Sequence, residues 1–184
     1  MPTSSVVVVV DSSLATECVT RAPGAPFGPD AVLSFESEVW RVSDDGGSGL
    51  HLAPTDLLRF AQMILDDGVL DGTRVLSPAS VQALVSNRIP GVPSVFGNRL
   101  IPEASWGYGF TVVTSRPFQY FVGGLVPDGS VTHPGAGGIG YWIDFEHELV
   151  GVWFEAITEI SEFLEPVSGI GHRFQNVITA AAVA

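Results

Sequence analysis

At 184 residues the chain is long enough for one domain burying roughly 70% of its unfolded surface, and with 46% hydrophobic residues it falls outside the disordered class. A net charge of −12 excludes a nucleic-acid partner held through its phosphates. All eight basic residues are arginines, so mechanisms needing a lysine base or Schiff base within this chain are excluded as well.

The start, Met1 to Ser5, has no basic segment, and the apolar run Val6–Val10 is too short to span a bilayer. Neither a signal peptide nor a membrane contact is expected, and a cytoplasmic location follows from that reading. The single cysteine, Cys18, cannot form an internal disulfide. Residues 1–45 read as an N-terminal loop or weakly ordered segment: Val6–Val10 lacks alternation, Ala22–Pro29 is proline- and glycine-rich, and Ser34–Val42 alternates poorly.

From residue 46 the signals sharpen into one domain, 46–184. A glycine loop leads to Pro54 and Asp56, residues suited to a first helical turn. Leu57, Phe60, Ala61, Ile64 and Leu65 then follow a helical period until Gly68. Asp71-Gly72 marks a turn, and Ser77-Pro78 opens a second helix with Val81, Leu84 and Val85 on one side. Residues 87–104 read as loop. Trp106–Thr114 alternates as a strand, and Phe118–Val126 reads as another.

The stretch Gly129–Glu155 predicts three extended runs: one ending at His133, a second over Ile139–Asp144 and a third over Leu149–Glu155. The glycine corner Gly135–Gly138 separates the first two, and Glu146-His147-Glu148 turns the second into the third. Gly135 to Gly140 fits G-x-G-x-x-G by letters, but strand residues follow where a dinucleotide site needs a helix. Ser161–Ala182 reads as mostly helical, with Phe174, Val177, Ile178 and Ala181 on one face. The fold class is therefore α+β, an antiparallel sheet flanked by helices.

The ordered set of glycine loop, helix, Asp-Gly turn, Ser-Pro helix, WGYGF strand, HPG corner and YWIDF…LVGVWF hairpin resembles the carboxy-terminal half of the serine β-lactamase-related hydrolases. That family groups class C β-lactamases, D-alanyl-D-alanine peptidases and family VIII esterases. The resemblance covers about Asp44 to Ala182. It implies a partial β-lactamase/transpeptidase-like fold, acyl-enzyme hydrolysis of esters, β-lactams or D-Ala peptides, and no cofactor.

The family's chemistry rests on S-x-x-K, on Y-x-N or S-x-N, and on K-T-G or H-x-G. Without lysine the first motif cannot exist here, and Asn87, Asn98 and Asn176 are preceded two positions earlier by Val85, Phe96 and Phe174. Only His133-Pro134-Gly135 matches. The resemblance implies His133 beside the scissile group, Gly135 admitting substrate, and the Ala136 N–H as an oxyanion donor. It also implies that the amino-terminal catalytic half is missing and that the chain is inactive alone.

Trp106, Tyr108 and Trp142 are candidates for the flanks of a substrate groove, although aromatic residues in strands ordinarily pack in the core. His51, His133, His147 and His172 show no metal-ligand spacing. His147 reads as exposed at a hairpin tip and His172 as a helix-surface residue. Ser48 fails G-x-S-x-G at its last position, and the acidic clusters read as solvated turns. The partners to expect are a small acyl molecule and either the missing half or a second copy. If cover is lacking, Trp142, Trp153 and Phe154 should form an apolar patch. The alternative function is a ligand-binding or self-associating module without catalysis.

Overall fold

The computed structural model describes residues 52–96, 99–114, 122–135, 139–154 and 170–182. The expectations for residues 1–45, Ser48, His51, 115–121, Ala136 to Gly138 and 155–169 lie outside the described residues.

Helix α1 (Pro54–Leu65) begins as its sequence directs, with proline in the first turn and Asp56 Oδ2 accepting the Ala53 N–H at 3.2 Å. That arrangement satisfies a donor that a helix start otherwise leaves free. The helix stops at Gly68, whose φ of 89° suits glycine and whose N–H donates to the Met63 carbonyl at 2.8 Å. Strands β1 (Val69–Leu70) and β2 (Thr73–Arg74) pair around Asp71-Gly72. Both turn residues have positive φ, 50° and 76°, as a two-residue hairpin with right-handed twist requires. Helix α2 (Pro78–Val85) is capped by Ser77, whose Oγ accepts the Ser80 N–H at 3.0 Å.

The segment 87–104, expected to be loop, contains an antiparallel hairpin of β3 (Ser94–Phe96) and β4 (Arg99–Ile101). Its cross-strand pair Val95 and Leu100 is 68% and 62% exposed, so no buried face imprints alternation on the sequence. The long strand expected over 106–114 shrinks to β5 (Thr111–Val112), with Trp106 joined to Thr111 by one isolated bridge. The described part of the strand expected over 118–126 is turn, closed by the Val126 N–H donating to the Gly123 carbonyl.

Strands β6 (Val131–Gly135), β7 (Ile139–Asp144) and β8 (Leu149–Phe154) form the expected three-stranded meander, and the sheet order is β5-β6-β7-β8, antiparallel throughout. A strand follows the glycine corner, which removes the dinucleotide reading. The register sets two faces. Val131, His133, Tyr141, Ile143, Val150 and Val152 share one, because paired residues point the same way. Helix α1 packs across β7 and β8 there, and Ala61, Met63 and Ile64 meet Phe110, Val112, Val131, Ile143 and Val150.

The opposite face carries Thr132, Trp142, Gly151, Gly140 and Trp153 and is covered by helix α3 (Ile170–Ala182). Trp142 and Trp153 are 0% and 8% exposed, so the expected uncovered patch is not formed by these residues. Phe174 meets Trp142 edge-on at 5.8 Å. The helix face also differs from the expected one: Val177 is 65% exposed, whereas the buried positions are Gly171, Gln175 and Thr179, four residues apart, flanked by half-buried Phe174 and Ile178. Gln175 is buried because its Oε1 accepts the Gly123 N–H, and Asn176 Oδ1 accepts the Leu125 N–H at 2.9 Å. No helix among the described residues is long and apolar enough to cross a membrane.

A Cβ on Gly151 would overlap the Trp142 ring, whereas one on Gly124 would meet nothing. Gly151→Ala is therefore expected to cost about 1–3 kcal/mol in urea unfolding followed by tryptophan fluorescence, and Gly124→Ala to stay within about 0.5 kcal/mol of wild type.

Candidate functional site

His133 stands on the α1 face of β6, directly across from Tyr141 on β7. Its ring meets the Trp106 indole edge to face, with centroids 6.0 Å apart and planes at 74°. Burial pushes the imidazole below its ordinary value of 6.5, and a hydrogen bond to Pro134 opposes that shift only in part. At neutral pH it is an uncharged imidazole, able to donate from one nitrogen and accept at the other. Burial raises the Tyr141 phenol to about 12, so that group stays protonated. Tyr141 is held by the parallel rings of Phe60 and Phe110, each meeting it edge-on at 6.2 and 6.0 Å.

The geometry separates the sequence-derived candidates. Trp106 lies against His133, and Tyr108 follows in the same turn, 63% exposed with the Arg88 guanidinium 5.4 Å above its ring. Trp142 lies on the other face of the sheet and is fully buried. The reason is alternation: it pairs with Thr132, one residue from His133, and therefore points away from it. Its role is core packing, which corrects the groove assignment for that residue. Ala136 lies outside the described residues.

β5 pairs only with Val131 and Thr132, so among the described residues no strand pairs with the outer edge of His133-Pro134-Gly135. Proline removes one donor from that edge. Gly135 has no positive φ, and a Cβ there would meet only Ile139, at an ordinary 3.5 Å. Neither backbone conformation nor packing inside the described protein demands glycine at this position.

No family model matches the chain. Two Mycobacterium tuberculosis proteins, Protein Rv1367c and an uncharacterized protein of a second strain, are each 35% identical over 113 residues, 58% of this chain. The chain spans about a quarter, 27%, of the length of these curated relatives. A crystal structure of a β-lactamase from Mycobacterium bovis superposes with a TM-score of 0.57 at 21% identity, over 71% of this chain and 44% of that one. The chain carries part of the β-lactamase fold. Within that partial β-lactamase fold, the sheet face bearing His133 carries α1, and the face bearing Trp142 carries α3.

Two other histidines depart from expectation. His147, expected to be exposed, is three-quarters covered because its Nδ1 bonds Asp144 Oδ2 at 2.7 Å. Asp144 is fully buried and its other oxygen accepts the N–H groups of Glu146 and His147, an Asx turn that closes the β7–β8 tip. The D-x-x-H spacing across a turn is the signal that could have found it. His172, expected on the helix surface, is half-buried, and burial lowers its pKa. Among the described residues no group of three or more His, Cys, Asp and Glu could hold a metal ion.

The shifts have opposite signs. His147 is raised above 6.5, chiefly by its hydrogen bond to Asp144, so its stabilisation is complete below that value and is lost as pH rises through the folded pKa. His133 and His172 are lowered, so stability drops as pH falls below 6.5 towards their folded values. Imidazole titrations by NMR should place the midpoint of His147 above 6.5 and those of His133 and His172 below it. His133→Asn should lessen the loss of stability on acidification from about pH 7 to 5, measured by urea unfolding against wild type.

Proposed function

We propose that this chain forms the His-x-Gly wall of a β-lactamase-type acyl-transfer pocket, binding carboxylic esters, β-lactams or D-Ala peptides along the outer edge of β6. The observation that carries the reading is the edge at His133-Pro134-Gly135, which no strand among the described residues pairs, with a neutral imidazole beside it and the Trp106 indole against that imidazole. Gly135 supports it too: among the described residues a Cβ there would meet only Ile139, which leaves room for a ligand to approach the backbone closely. His133 holds or passes a proton next to the acyl carbonyl, and the Ala136 N–H, by resemblance, faces the developing oxyanion.

With no lysine in the chain, a Ser-x-x-Lys nucleophile is not among these residues, and neither is a Tyr-x-Asn motif. The chain alone is a binding wall, and the hydrolysis belongs to an assembly that supplies the attacking serine, whether a further segment or another chain. The curated relatives, of which this chain matches 27%, leave room for such a segment in proteins of that length.

Titration of the purified chain with benzylpenicillin, followed by NMR, should shift the His133 and Trp106 signals without turnover, and His133→Ala should abolish the Trp106 response. Unmoved His133 and Trp106 signals at millimolar ligand would remove the pocket. Hydrolysis of a p-nitrophenyl ester together with fluorophosphonate labelling of a serine would show that the chain does contain its nucleophile.

A further inference from the structure

The wall beside His133 is seated on the far end of α2, and the contacts that seat it come from residues that the pocket reading does not use. The last carbonyls of a helix have no partner within it. At the end of α2, the Leu84 carbonyl accepts the N–H of Tyr108 at 3.1 Å. Gly107 lies so close to the same carbonyl that a Cβ would overlap it. Asn87, two residues beyond the helix, accepts the N–H of Ile89 at 3.0 Å and that of Trp106 at 3.3 Å on one oxygen, Oδ1. Arg88 donates its backbone N–H to the Trp106 carbonyl at 2.7 Å.

Both backbone groups of Trp106 are thus engaged by consecutive residues of one loop, and the indole between them is the group that meets His133. Of the two anchors, only Asn87 acts through a side chain. Removing its carboxamide leaves the half-buried N–H of Trp106 unpaired, a state that costs more than the bond itself contributes, so the turn shifts to find another partner.

We propose that Asn87 is a positioning residue of the candidate site, its carboxamide fixing the Trp106 indole against the His133 imidazole. The inference rests on the pocket reading for its functional meaning, while the clamp itself is a property of the chain without ligand. It also makes the end of α2 part of the site's architecture: a displacement of that helix end moves the aromatic wall and changes how deeply His133 is buried.

The test uses NMR of the ligand-free full chain, reading the His133 ring protons, which sense the ring current of the Trp106 indole. Trp106→Ala defines the shift when the indole is gone, and His147, at the β7–β8 tip, serves as internal reference. Asn87→Ala is expected to move the His133 signals towards their Trp106→Ala positions and leave those of His147 in place. Asn87→Asp keeps an acceptor oxygen and should retain the wild-type shifts, whereas Asn87→Gln, which displaces the acceptor by one methylene, should lose them. Ser77→Ala weakens α2 at its opposite end and should leave His133 unmoved.

Unchanged His133 signals in both Asn87→Ala and Asn87→Gln would overturn the proposal. So would an equal displacement in Ser77→Ala, or the same displacement in Asn87→Asp, since each makes the acceptor oxygen irrelevant. Because no ligand enters this measurement, its failure leaves the pocket standing, and a failed penicillin titration leaves the clamp standing.

Discussion

Three glycines make the sheet–helix packing possible, and the rest of the molecule is arranged around what they admit. Gly151 lies beneath the Trp142 ring, while Gly140 and Gly171 lie against Trp153, one from the neighbouring strand and one from α3. Any side chain at these positions would occupy the space of an indole. The two tryptophans, 6.2 Å apart, can therefore lie flat enough for α3 to come down on them. Once one face of β7 and β8 is closed in this way, alternation directs Tyr141, Ile143, Val150 and Val152 to the other, where α1 covers them. The strand beside them, β6, then presents His133 on the α1 face.

That chain of constraint explains why the candidate site is partly rigid and partly open. Tyr141 is held by Phe60 and Phe110, and Trp106 by the loop that follows α2, so the surroundings of His133 are fixed from two sides. The third side, the edge from His133 to Gly135, has no partner strand among the described residues because β5 stops pairing at Thr132. The backbone group this edge turns outward is that of Pro134, which has no N–H, so the edge offers a carbonyl acceptor to an extended ligand or another segment.

Local signals proved reliable where local physics decides. Pro54, Asp56 and Gly68 bound α1, Ser77 caps α2, and Asp71-Gly72 forms the turn it spells, because caps and turns are settled within a few residues. The β7–β8 hairpin was legible for the same reason. Sequence reading went astray where exposure or long-range bonding rules. Val95 and Leu100 pair without burial, and Gln175 enters the core only because Gly123, 52 residues away, needs an acceptor. His147 reads as a solvated tip in the sequence because nothing local signals that its partner Asp144 is buried.

What the residues alone determined was the class of fold, the succession of α1, the Asp-Gly turn, α2 and the β6–β8 meander, the resemblance to serine β-lactamase-related hydrolases, and the absence of a lysine base. These depend on composition, spacing and short-range conformational preference. Only the tertiary structure decided which aromatic residues stand beside His133. Trp142 and His133 both belong to adjacent paired strands, yet pleating sends them to opposite faces, while Trp106 arrives from 27 positions earlier because the end of α2 holds it there. The face a side chain takes is fixed by register, and register is a property of the assembled sheet.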